Sequence, residues 1–143
     1  MPYEVFRDEY FISTDPARLD LDVIFDYLHN HAYWAHGRTR EIIVKSIAHS
    51  ENFGVYCERA QIGFARVITD YATFAYLCDV FILPEHQGRG LGKWLLQTIL
   101  AHPELQGLRY WYLRTRDAHG LYQQFGFTAL RDPARSMERP GTV

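Results

Sequence analysis

Three glycines fall within five residues at Gly88, Gly90 and Gly92, and their flanks narrow the fold. Upstream, Val80, Phe81, Ile82 and Leu83 form an apolar run of β-branched and aromatic side chains, which reads as a buried strand. Pro84 ends it, because it has no N–H for a ladder. Downstream, Leu91, Trp94, Leu95, Thr98 and Ile99 recur at helical spacing, with Lys93 and Gln97 off the stripe. Strand, glycine turn and helix in that order make an anion site. The first turn of a helix carries unpaired N–H groups and positive potential. Glycines let an anion reach that backbone with no Cβ in the way. Two common nucleotide loops do not fit. The spacing is G-x-G-x-G rather than G-x-G-x-x-G, and it sits late in the chain. Lys93 is followed by Trp94, so the P-loop ending G-K-[ST] is missing. A turn that merely packs a helix onto a sheet stays open at this point.

The rest of the chain reads as one domain, residues 1–143, long enough for a core. A net charge of -2 argues against a general nucleic-acid binder. No apolar run approaches the ~20 residues that span a bilayer. The opening MPYEVFRDEYF has no signal-peptide core, so a cytoplasmic location is expected. Cys57 and Cys78 fall in expected strands and read as reduced thiols.

Tyr10 to Ser13 reads as a first strand. Leu21, Ile24, Phe25 and Leu28 lie on one face of a helix, and Arg40 to His49 forms a second with Ile43 and Ile47 inward. Residues 52–57, 61–69 and 71–83 are strands, the last running into the glycine turn. His102-Pro103 stops the central helix, since a residue before proline avoids the α region. Leu108 to Thr115 is strand-like. Asp117 suits the N-cap of a short helix to Phe125, with Gly126 at its C′ position. Phe127 to Leu130 and Ser136 to Glu138 are expected as two final strands.

The run Gln87-Gly88-Arg89-Gly90-Leu91-Gly92, after an apolar strand, resembles the Q/R-x-x-G-x-G/A motif of the GNAT superfamily of acyl-CoA-dependent N-acetyltransferases. Asp117 to Phe127 resembles that family's A-x-x-x-Y-x-x-x-G-F segment, with Ala118, Tyr122, Gly126 and Phe127 in the matching places. Many members have Asn three residues before that alanine, where this chain has Thr115. The element order β-α-α-β-β-β-α-β-α-β-β is similar to the family's. The resemblance implies an α/β (α+β) GNAT fold with a mixed central sheet of about six to seven strands. It implies acetyl-CoA as co-substrate and no metal. It implies that Gln87, Gly88, Arg89, Gly90, Leu91, Gly92 and Lys93 hold the pyrophosphate. The backbone of Val80, Phe81 and Ile82 would then meet the pantetheine and thioester. It implies direct attack by an amine on the thioester, with Tyr122 as the acid. A small-molecule or peptide amine would be the partner, with no nucleic acid and no membrane, and there is room for a homodimer.

The chemistry has physical requirements. An attacking amine must be neutral, yet a lysine-type amine has a pKa of about 10.4. The departing thiolate needs a proton, and a phenol at about 10 can supply it within hydrogen-bond reach. Tyr122 is placed for that, or it simply packs its helix. Asp79 is the only acidic residue between Tyr71 and Leu83. In an apolar strand it needs a partner. It is either a base or amine-orienting group, or an ion-pair partner of Arg66 or Arg114. Tyr33, Trp34 and His36 could form an aromatic wall for the acceptor, by cation–π contact among other means, or belong to the core. The histidines at 29, 31, 36 and 49 have no metal-ligand spacing. Two other functions compete with catalysis: a non-catalytic acyl-CoA sensor or scaffold, and a domain that binds another anion.

Overall fold

The structure is a computed structural model that describes residues 1–32 and 37–141. The expected substrate residues Tyr33, Trp34 and His36 lie outside the described residues. One sheet organises the chain. Its strands are β1 (Glu4–Arg7), β2 (Tyr10–Ser13), β3 (Glu51–Cys57), β4 (Ala60–Thr69), β5 (Phe74–Ile82) and β6 (Tyr110–Leu113), lying side by side in that order. Neighbours from β1 to β5 are antiparallel, and β5 pairs with β6 in parallel. A parallel pair needs a long crossover. Here α3 (Leu91–Leu100) supplies it. The helices α1 (Leu21–Asn30) and α2 (Arg40–Ala48) join β2 to β3, and α4 (His119–Gln123) follows β6.

The helices form where local chemistry supports them. Asp20 caps α1 by accepting from the N–H groups of Asp22 and Val23. Thr39 does the same for α2 through the Ile42 N–H. Leu91, Leu95, Leu96 and Ile99 of α3 are buried against Ile12, Phe53, Val55, Val67 and Leu77 on one sheet face. The other face carries α1 and α2, where Ile24, Leu28, Ile43 and Ile47 close over Phe64 and Phe81.

Three details depart from the sequence expectations. First, β1 pairs with β2 as a hairpin whose turn contains Asp8 at φ +54°. No glycine marks that turn, and Phe6 of β1 is exposed, so neither signal for a strand was present. Second, neither 127–130 nor 136–138 is a strand; only a 3-10 turn at Pro133–Arg135 is regular there. Third, Ala118 rather than Asp117 is the N-cap of α4, and Thr115 steadies that turn by accepting the Ala118 N–H. The helix also ends at Gln123 rather than Phe125, although Gly126 has φ +90° and the Phe127 N–H reaches back to the Tyr122 carbonyl.

Candidate active site

The site begins with a bulge. On β4, Phe64 faces Phe81 and Arg66 faces Cys78, so one β4 residue stands opposite two on β5, Asp79 and Val80. Asp79 takes φ +54°, a left-handed conformation that is uncommon for any residue with a Cβ. The extra residue reverses the alternation. Leu77 packs on the α3 face, whereas Phe81 packs under α1 and α2. The β5–β6 ladder ends just before the bulge, at the pair Leu77 and Leu113. Beyond it, Cys78 to Ile82 and Arg114 to Ala118 line two walls of a cleft of about 1020 Å³. A strand that leaves its neighbour turns its N–H and C=O groups toward whatever fills the gap. Val80, Phe81 and Ile82 line that gap, while Phe81 and Ile82 stay paired with Phe64 and Gly63 of β4 on their other edge.

The cleft runs to the N-terminus of α3, where Gln87, Gly88, Gly90, Leu91 and Gly92 line it. Gly90 is the N-cap at φ +76°, and no side chain caps the helix. Its first N–H groups are thus left for a ligand. Arg89 and Lys93 are exposed and stand outside the lining. Arg89 donates to the Tyr10 hydroxyl at 2.9 Å, and that hydroxyl also bonds His86 Nδ1 at 2.9 Å. Gln87 Nε2 donates to the Ile82 carbonyl at 2.9 Å. These side chains fix the loop, whose Gln87, Gly88 and Gly90 line the cleft. Tyr10 was not read as a site residue, because a tyrosine near the start of the chain has no local signal that it braces a loop 79 positions away.

Tyr122 lines the opposite wall, half-buried, with its ring edge-on to Phe127. Asp79 is nearly sealed, with its side chain 1% exposed. Arg38 grips it with two parallel bonds, Nη1 to Oδ2 and Nη2 to Oδ1, both 2.9 Å. Arg66 Nε adds a third at 2.9 Å. Burial alone would raise the Asp79 pKa, but the two guanidiniums outweigh it and hold the carboxyl below its ordinary range. Arg66 is thus a partner, as one sequence reading had it. Arg114 instead meets Glu138 at the surface. Arg38 was missed. It sits in a connection 41 residues from Asp79, and spacing cannot reveal such a pair. Burial pushes the Cys78 thiol up to about 11 and raises Tyr76 and Tyr27, so these groups are neutral near pH 7. Both cysteines are free.

His29 stacks on Phe25, and His31 lies tilted against Tyr27. Among the described residues one His and acid grouping has ligand atoms within 4.8 Å of one another, Glu51, His102 and Glu104. His102 Nδ1 there accepts the Glu104 N–H, leaving Nε2 facing Glu51 at 3.3 Å. That arrangement caps the turn after α3.

Comparison with known proteins agrees with this geometry. Residues 48–129 match the model of the acetyltransferase (GNAT) domain. A GNAT-family protein of Xanthomonas campestris pv. campestris, described as a candidate acetyltransferase, has a crystal structure similar to this one. It is 46% identical, with a TM-score of 0.89, over 99% of this chain and 95% of that one. A Gibberella zeae protein named as a candidate acetyltransferase is 36% identical over 85% of this chain and 80% of its own length. A GNAT acetyltransferase of Elizabethkingia anophelis, solved with acetyl-CoA bound, shares the fold at 16% identity and a TM-score of 0.64, over 85% of this chain and 78% of that one. The chain belongs to the GNAT acetyltransferase family.

Proposed function

We propose that the chain is an N-acetyltransferase that moves the acetyl group of acetyl-CoA onto a primary amine by direct attack. The observation that carries this is the cleft itself. It joins an uncapped helix N-terminus, a strand with released backbone groups and a tyrosine within one space. An acyl-CoA has a matching series of parts: pyrophosphate, amide-bearing arm, thioester. The acetyl-CoA bound to the Elizabethkingia anophelis relative supports the choice of donor.

The pyrophosphate would rest on the N–H groups at the start of α3. The pantetheine amides would pair with β5 in place of the absent strand neighbour. A β5 N–H near Phe81 would polarise the thioester carbonyl. A neutral amine attacks the carbonyl carbon, the tetrahedral intermediate expels the CoA thiolate, and the Tyr122 hydroxyl protonates it. The amine loses its own proton to water. The grip of Arg38 and Arg66 on Asp79 makes that carboxylate a weak base, which favours a positioning role. Two free thiols suit a reducing, cytoplasmic setting.

The experiment is a screen for acetyl-CoA turnover over small amines and N-terminal peptides, read as free thiol. Thiol release that depends on an amine, with the acetylated amine found by mass, is expected. Tight acetyl-CoA binding with no transfer to any amine would point to a sensor.

A further inference from the structure

Resting on the transferase reading above, we propose that the acceptor is a small amine carrying a carboxylate, of the α-amino-acid type, and that Arg38 binds that carboxylate. The argument starts from charge. Among the described residues, two guanidiniums meet one carboxylate at Asp79, which gives those three side chains one positive charge in excess. Arg66 is the deeper partner, 10% exposed, and also donates to Ser50 behind the sheet. Arg38 keeps 25% of its side chain exposed and lines the cleft. A guanidinium has five N–H donors in a rigid fork. Two go to Asp79, which fixes the plane of the group beside the cleft. A second carboxylate can then be received with little ordering cost.

The donor's phosphates do not account for this charge. They are expected at the start of α3, beyond Leu83, which lies four residue steps from Asp79, roughly 13 Å at strand rise. The thioester is expected near Phe81, two residues from Asp79, or roughly 7 Å away. An α-amino acid gripped at Arg38 would place its amine between the two. The lining also disfavours polycationic amines. Its only carboxylates among the described residues are Asp79, neutralised from two sides, and Asp117 on the far wall, between Arg116 and Ala118. Tyr27 and Tyr76 line the same cleft with neutral hydroxyls, and their rings suit an apolar or aromatic side chain.

The test compares amino acids with their decarboxylated amines, for example phenylalanine with phenethylamine and leucine with isoamylamine. Wild-type protein is expected to favour the carboxylate member by about 10- to 100-fold in kcat/KM, the range of a charge-assisted bond. In Arg38→Gln that ratio should fall toward one, chiefly through KM. Arg38→Lys, which keeps a cation beside Asp79 should the first variant fold poorly, should lower the ratio in part. Equal kcat/KM within each pair in the wild type would overturn the proposal and leave the transferase reading standing. A strong preference that both variants retain would overturn the role of Arg38. No transfer to either member of any pair would overturn this proposal, and the wider screen of amines and peptides would then decide the transferase reading separately.

Discussion

Asp79 is a residue whose environment fixes its state. Removing its charge leaves buried Arg66 and half-buried Arg38 facing each other without that counter-ion. Breaking a buried pair in this way costs about 3–5 kcal/mol. Asp79→Asn should therefore lower Tm clearly at pH 7, and turnover should fall with it. The pH dependence follows from the lowered folded pKa. The unfolded carboxyl titrates near 3.9. The ion-pair contribution is fully present above that value and is lost as pH falls through the lower folded value. Melts of wild type and Asp79→Asn from pH 7 to pH 2 should converge at the acid end. A constant gap would mean that Asp79 matters through shape rather than charge. Tyr122 makes a separate prediction. Tyr122→Phe keeps the ring against Phe127 and deletes the hydroxyl. If that hydroxyl protonates the thiolate, kcat should fall about 10²–10⁴-fold with acetyl-CoA affinity little changed. The loss should shrink with a donor whose thiol leaves easily. Near wild-type kcat would return Tyr122 to packing.

At the scale of elements, the stripes that face a core were the legible ones. Ile24 and Leu28, Ile43 and Ile47, and Leu91, Leu95 and Ile99 were all read at helical spacing, and all are buried. The first strand, which has no fully buried residue, was not legible. β1 exposes Phe6, and its turn uses an aspartate where a glycine would have announced it. The bulge was hidden for another reason. Ala75, Leu77, Asp79 and Phe81 alternate as though on one face, and only the pairing with β4 shows that Phe81 has crossed to the other. The tail offers the opposite error, since its apolar residues suggested strands that the sheet does not contain. Residues 131–141 are exposed throughout, and Arg114 with Glu138 is a surface pair. Such pairs contribute about 0–1 kcal/mol. Truncation after Leu130 should shift Tm by no more than about 3 °C. A larger fall would show that the tail packs on the edge of β6.

Across the whole molecule, the candidate cleft is built from one strand and the loop that follows it. The bulge at Asp79 opens β5 from β6, and the glycine loop after β5 delivers α3 to the mouth of that opening. The glycine motif was legible because backbone approach to an anion restricts residue type. The charge cluster was not, because Arg38, Arg66 and Asp79 meet only through the fold. The central claim is that the first turn of α3 receives the cofactor's pyrophosphate, and Gly92 tests it most directly. Gly90 has a positive φ, so replacing it would strain the loop whatever it binds. Gly92 lies inside α3 with ordinary backbone, lines the cleft, and a Cβ there meets no atom within 4 Å. Gly92→Val should fold as wild type does, since valine suits a helix no worse than glycine. Its branched side chain would stand where the phosphates approach. Calorimetric titration with acetyl-CoA should show one site in the wild type and an affinity at least about 10-fold weaker in Gly92→Val, on the scale of one lost charge-assisted bond. Equal affinities in two folded proteins, or no binding to the wild type, would contradict the account.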